Sequence, residues 1–293
     1  RRQRQMCIRD RPSSITELYA QATENMLGRW DQKKGLLQQK IYEAADAVTT
    51  ELAEYFFSNQ LTAISQQEAR GFVSKYLSKR NLGIDELELT EQIFRKSGIF
   101  VCDDFGGTLS FRHHSFIEFF SAKNILKTGH YNLNSRSFFD PHRQIFFFYA
   151  GLLKDCQDFL DEALTTKVET TYERWVKSLA LGDLMLAAFA TEYSFVRENL
   201  HKLFLELASS YCEELEKGKD GQFAEMTEVE ILWILSSNIR HVMSYRYFEP
   251  AIEDLLLRIE EDLSTSSHVK AHALFFASTV ARDIGTKNPF DFL

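Results

Sequence analysis

The apolar positions change period once, sharply, between Ile99 and Lys127. Up to Gly98 they recur at helical spacing. Ile99 to Cys102 is then a short apolar run, Asp103-Asp104-Phe105-Gly106-Gly107 is a turn, and Leu109 and Phe111 alternate with Ser110 and Arg112. Two such runs about a glycine-containing turn predict a β-hairpin. Directly afterwards Phe116, Phe119, Phe120, Ala122 and Leu126 return to helical spacing. Ser115 followed by Glu118 predicts a capping box at the start of that helix.

Upstream, Ser14 with Glu17 predicts a helix start, and Ile15, Leu18, Tyr19, Ala22, Met26, Leu27 and Trp30 mark one face. Gly35 breaks the chain. A second helix runs from about Leu36 to Phe57 with Leu37, Ile41, Ala44, Ala45, Val48, Leu52, Tyr55 and Phe56 inward. Ser65 with Glu68 starts a third, carrying Phe72, Val73, Tyr76 and Leu77. Asp85 with Glu88 starts a fourth, carrying Leu87, Leu89, Ile93 and Phe94 and stopping at Gly98. Helices, a two-stranded wing and a closing helix together predict a winged-helix domain of about 65 to 70 residues, an ordinary size for a small domain.

Beyond the polar connection Thr128 to Ser137 only helical signals follow. Pro141 opens a helix whose Ile145, Phe146, Phe148, Tyr149, Leu152 and Leu153 are too apolar for a surface position. Helices are then expected over Tyr172–Ala190, Phe195–Leu215, Val229–Met243, Phe248–Leu263 and His268–Ile284. Their lengths suit paired helices in an α-helical array, and no repeat signature is visible. The expected fold class is mainly α: a helical domain plus a winged helix with one β-hairpin, followed by an α-helical array. The expected boundaries are 1–11, a basic leader; 12–60, helical domain; 61–130, winged helix; 131–293, array.

Composition narrows the function classes. The chain has 293 residues, 44% of them hydrophobic, with 25 Phe and only four Pro, which fits a globular helical protein. A net charge of −8 argues against broad binding to nucleic acid or anionic membrane. So do the acids on the fourth helix (Asp85, Glu86, Glu88, Glu91) and at the hairpin turn (Asp103, Asp104), where a DNA-reading winged helix would need cations. No apolar run approaches the ~20 residues needed to span a bilayer. Cys7, Cys102, Cys156 and Cys212 form no CxxC pair and read as free or buried thiols in a reducing cytoplasm. The leader RRQRQMCIRDR matches no structural period, and MCIRDR resembles the translation of a sequencing adapter. We read it as non-native and expect a fragment whose upstream part is missing, and whose C-terminus is also truncated.

No P-loop, acidic Walker B strand or nucleophile elbow occurs, so no catalytic residue is expected within the chain. His268 and His272 lie four apart on a helix. That spacing can bind a metal but is commoner at plain surfaces, and no metal site is expected. Arg112, His113 and His114 stand where a strand ends and a helix begins, a place favourable to an anion. The residues alone favour a basic corner that faces solvent or caps a core over an anion site, since the spacing is common.

The stretch Leu109-Ser110-Phe111-Arg112-His113-His114-Ser115-Phe116-Ile117-Glu118-Phe119-Phe120-Ser121-Ala122 resembles the F-x-H-x-S-F-x-E-F-x-A-A signature of NACHT-type signalling NTPases, the STAND class that includes NLR proteins. Ser121-Ala122 stands where the signature has Ala-Ala. Pro12-x-x-x-x-Glu17-Leu18-Tyr19 with Met26-Leu27-x-Arg29-Trp30-Asp31 resembles the P-x-x-R-x-E-L-Y…L-L-x-R-W-D segment of the same family, with Ile15 in place of the usual Arg. The resemblance implies a regulatory and sensor part, lying behind an ATPase core that this chain lacks. It implies ADP or ATP bound mainly by that core, with His113 as the cofactor-binding residue at the phosphates and the winged helix closing on ADP. It further implies an unknown protein or ligand trigger sensed by the array, homo-oligomerisation on activation, and a role in anti-phage or innate defence. The alternative reading is a stand-alone helical protein-interaction scaffold, with a winged-helix DNA-binding regulator as the third.

Overall fold

The computed structural model describes residues 14–29 and 36–286. Pro12, Trp30, Asp31, Gly35 and the 1–11 leader, all used in the sequence reading, lie outside the described residues. The fold is mainly helical with one small antiparallel sheet. The chain divides into two compact units, one of residues up to 131 together with 144–152, the other of 132–143 together with 153 onward.

In the first unit, α1 (Ile15–Met26) starts where Ser14 Oγ accepts from the Glu17 amide at 3.1 Å, satisfying an amide that has no partner within the helix. Its buried line is Thr16, Thr23 and, just past its end, Leu27, while Ile15 and Leu18 are more than half exposed. The expected face is therefore turned by about one residue. α2 (Leu36–Ser58) buries Ile41, Ala44, Ala45, Val48, Leu52, Ala53 and Phe56. These recur at three and four residues, and the alanines let another helix approach closely. That helix is α5 (His114–Thr128), closed at Gly129 in the left-handed region at φ 68°. Lys123 pairs with Asp46 across the contact, and Asn124 Nδ2 donates to Glu54 at 3.3 Å.

Between α2 and α5 the chain builds the sheet. β1 (Ile64–Ser65) leads into α3 (Gln66–Ser78), and α4 (Glu86–Glu91) continues into one wide turn over Gln92–Lys96, whose Ser97 amide reaches back five residues to the Gln92 carbonyl. β2 (Phe100–Asp103) and β3 (Thr108–Phe111) form the expected hairpin, with Phe100 opposite Phe111 and Asp103 opposite Thr108. β1 joins the other edge of β3, Ile64 opposite Leu109, so the sheet has three strands where two were expected. Leu109 and Phe111 face the core, as period-two alternation requires. The Phe111 ring meets Phe100 at 4.4 Å and Phe56 at 5.1 Å. Leu87, expected inward, is 75% exposed.

α6 (His142–Leu153) follows Pro141 and buries Ile145, Phe146, Phe148, Tyr149, Ala150 and Gly151; its residues 144–152 belong to the first unit. At Gly151 α6 comes so near α1 that an added Cβ would collide with Thr16. Gly151→Ala is accordingly expected to cost about 1–3 kcal/mol, the usual penalty for overpacking, measured by urea unfolding. An unchanged midpoint would mean that α1 does not pack there.

The second unit holds α7 (Gln157–Thr165), α8 (Thr171–Ala187), α9 (Tyr193–Lys217), α10 (Glu228–Met243), α11 (Glu249–Glu261) and α12 (Ser267–Ile284). Capping boxes at Thr170/Glu173 and Thr227/Glu230 start α8 and α10. α9 lies centrally, packing on α8, α11 and α12 through Val196, Leu200, Leu203, Phe204, Leu207 and Tyr211. The turn after α9 is fixed by buried Glu214. It accepts from Thr171 Oγ1 at 2.7 Å, from Lys217 Nζ at 3.3 Å and from the Gln222 amide. α7 falls in a stretch read as helical but given no bounded helix in the sequence reading.

Candidate functional site

The junction singled out in the sequence is formed by the end of β3 and the first turn of α5. Helix α5 begins at His114, with His113 as its N-cap in extended conformation at φ −138° and ψ 142° and no side-chain capping bond. The Ser115–Glu118 capping box does not form, because Ser115 is already inside the helix and accepts the Tyr19 hydroxyl at 2.9 Å. The three cations are held differently. Arg112 folds back, its Nε donating to the Gly98 carbonyl at 2.8 Å while its amide bonds the Ile99 carbonyl. Gly98, at φ +72°, makes the turn that presents that carbonyl. His114 Nε2 lies 3.8 Å from the nearly buried Glu118 carboxylate. His113 is exposed and stands over Phe116, ring centroids 6.1 Å apart. Of the three basic side chains, His113 alone is neither folded onto a carbonyl nor set beside a carboxylate, and it stands at the helix N-terminus with its free amides.

The floor of the junction is aromatic. Tyr19 meets Phe116, Phe119 and Phe148 at 6.1, 5.8 and 4.9 Å, and Phe119 meets Phe120 and Phe148 at 5.5 Å. Tyr19 from the first resemblance segment thus touches Ser115, Phe116 and Phe119 from the second. The two segments, 96 residues apart at that hydrogen bond, form one packed unit. Arg29, also from the first segment, pairs with Glu24 and stands 5.8 Å over the Tyr42 ring. It lines an open cleft of ≈ 590 Å³ with Gly28, Gln38, Gln39, Tyr42 and Glu43. Burial, followed by the Asp46 and Glu24 carboxylates, pushes the Tyr42 phenol up.

The face of α4 and the hairpin tip carries its acids in use. Asp104 holds Arg95 at 2.7 Å, which also lies 3.7 Å from Glu91. The Arg95 hydrogen bond keeps Asp104 below the usual carboxylate range. Asp103 Oδ1 accepts from the Phe105 amide at 3.1 Å, and the Phe105 ring projects fully into solvent, as does most of Leu87.

In the second unit His268 and His272 lie within one turn of α12, and Cys212 of α9 comes to them across the helix contact. The sequence reading took Cys212 for a free or buried thiol. Nothing in its spacing, 60 residues from His272, signals the approach. No helix among the described residues is long and apolar enough to cross a membrane.

Residues 183–293 match the family model for NACHT C-terminal Helical domain 1. No curated protein and no solved structure matches the chain. The matched stretch begins at Asp183 in α8 and takes in α9 to α12, a part of the chain with no visible repeat signature. It agrees with the resemblance carried by residues 12–31 and 109–122, and the three stretches together are consistent with a C-terminal region of a NACHT-type protein.

Proposed function

We propose that the chain is the regulatory and sensor part of a NACHT-type STAND signalling NTPase. The first unit supplies a helical segment and a winged helix that closes on ADP held by an upstream ATPase core. His113 contacts the phosphates, the helical array senses a protein or ligand trigger, and nucleotide exchange releases a homo-oligomer that acts in defence. The observation that carries this reading is the agreement of the family match over 183–293 with two independent upstream segments that pack on each other through Tyr19 and Ser115. Physically, ADP biases a two-state element because it gains contacts in only one state. The chain itself would be no enzyme. The exposed Leu87 and Phe105 set among Glu86, Glu88 and Asp103 support a protein-facing winged helix over one that meets a polyanion.

The test is His113→Leu in the complete protein. His113 is exposed, so the fold should keep its stability within about 0.5 kcal/mol. The variant is expected to retain less ADP through purification and to show more oligomer at rest. Nucleotide content equal to wild type removes the role of His113. A complete protein that carries no nucleotide in either form replaces the whole reading with the interaction scaffold.

A further inference from the structure

The second unit contains a set of side chains with metal-ligand chemistry drawn from two helices. The Cys212 sulfur and one ring nitrogen from each of His268 and His272 all lie within 4.8 Å of one another. Cys212 is 5% exposed on α9. His272 is half-buried on α12, with its Nδ1 3.7 Å from that sulfur and its ring 4.8 Å from the Tyr211 ring. His268 is exposed one turn earlier, its ring centroid 4.6 Å from that of His272.

We infer that Cys212, His268 and His272 form a binding site for a divalent cation of the zinc class, with a fourth position open to water or a further ligand.

Four lines of physical chemistry support this. First, residues four apart on a helix share one face, so α12 offers both imidazoles in the same direction, toward the thiol. Second, the ligand set is one sulfur and two nitrogens, which suits Zn²⁺ and its neighbours and does not suit Mg²⁺ or Ca²⁺, whose sites are built of oxygen. Third, the spacing is close to what a tetrahedral ion requires. With the usual bond lengths, sulfur and nitrogen ligands sit about 3.5 Å apart and two nitrogens about 3.3 Å apart, so small side-chain rotations close the site. Fourth, the surroundings fit a ligating histidine. The His272 Nδ1 also lies 2.9 Å from the His268 carbonyl oxygen; a ring that ligates through Nε2 keeps this as its outer-shell bond, and one that ligates through Nδ1 gives it up. A buried thiol gives up its proton when an ion takes its place, and the exposed His268 leaves a way in from solvent.

This site shares no residue with the junction around His113 and stands whether or not the nucleotide reading does. The test uses the full 293-residue chain, freed of metal and titrated with Co²⁺, then with Zn²⁺ in competition. One equivalent of Co²⁺ is expected, with a near-ultraviolet thiolate-to-cobalt band and visible bands of tetrahedral strength, both erased by Zn²⁺. Cys212→Ser should abolish the near-ultraviolet band. His268→Ala, at an exposed position that leaves the fold intact, should weaken Zn²⁺ binding at least about tenfold, since it removes one of three protein ligands. Absence of the near-ultraviolet band in the native chain overturns the proposal. So does a band that persists in Cys212→Ser, which would place the ion on another thiol, or wild-type affinity in His268→Ala.

Discussion

Phe119→Ala is expected to lower the stability of the first unit by about 3–5 kcal/mol, the range for deleting a buried ring that its surroundings cannot refill. The side chain is 1% exposed and lies among Tyr19, Phe120 and Phe148, all within 5.8 Å centroid to centroid. These rings come from α1, α5 and α6. The cavity left by Ala is therefore walled by three helices, none of which can move in without breaking its other contacts. Phe120, fully buried beside it, should behave alike. Phe105, wholly exposed at the hairpin tip, serves as the matched control, and its replacement by Ala should change stability by less than about 0.5 kcal/mol. Urea unfolding of the full chain followed by near-ultraviolet circular dichroism reads the difference. A loss for Phe119→Ala as small as the Phe105 control would mean that the aromatic floor is not packed, and the link between the two resemblance segments would go with it.

The helices were legible because their signals are local. Ser14, Ser65 and Asp85 each cap the helix that the sequence assigns to them, and α2, with its apolar line from Ile41 to Phe56, ends within one residue of its expected place. The hairpin was legible for the same reason. What failed depended on partners distant in sequence. The buried face of α1 is turned onto Thr16 and Thr23 because the Tyr19 hydroxyl seeks Ser115 and because Gly151 makes room for Thr16, and periodicity counts apolar residues without knowing what they meet. β1 is only two residues long, too short for any alternating pattern, and exists through its pairing with Leu109 and Thr108. Ser115 satisfies a capping pattern but is used by Tyr19 instead. At the candidate site His113 was visible from the motif, whereas the folding back of Arg112 onto Gly98 was not. The i, i+4 histidines of α12 were visible and their thiol was not. The family match over 183–293 is spread across helices with no short signature, so periodicity there predicts a helical array and nothing more specific.

The second large effect is expected at Arg143, whose Nε donates to Asp183 Oδ2 at 2.9 Å and whose Nη2 pairs with the same oxygen. Each side chain is only about a fifth exposed, so this is an ion pair largely out of water. Burial pushes the Asp183 carboxyl up, and Arg143 opposes that rise by charge and hydrogen bond without cancelling it. Arg143→Met keeps most of the stem's packing but leaves the carboxylate without its cation. The expected cost at pH 7 is about 3 kcal/mol, the lower end of the range for breaking a buried pair because some exposure remains. The sign of the pH dependence follows from the raised pKa. The folded state holds the Asp183 proton more tightly than the unfolded state, so this group's contribution is fullest below the unfolded pKa and is lost as pH rises through the folded one. Without Arg143 the folded pKa moves further up, so the variant's deficit is largest at neutral pH and shrinks toward pH 4, where Asp183 can be neutral. Arg143→Met combined with Asp183→Leu removes both charges and should recover most of the loss, because an apolar pair of similar volume often matches or exceeds a buried ion pair. Urea midpoints of wild type, single and double variants at pH 7 and pH 4.5 read all three expectations. A deficit that is the same at both pH values, with no recovery in the double variant, would show that Arg143 contributes through packing of its stem and not through the charge of Asp183.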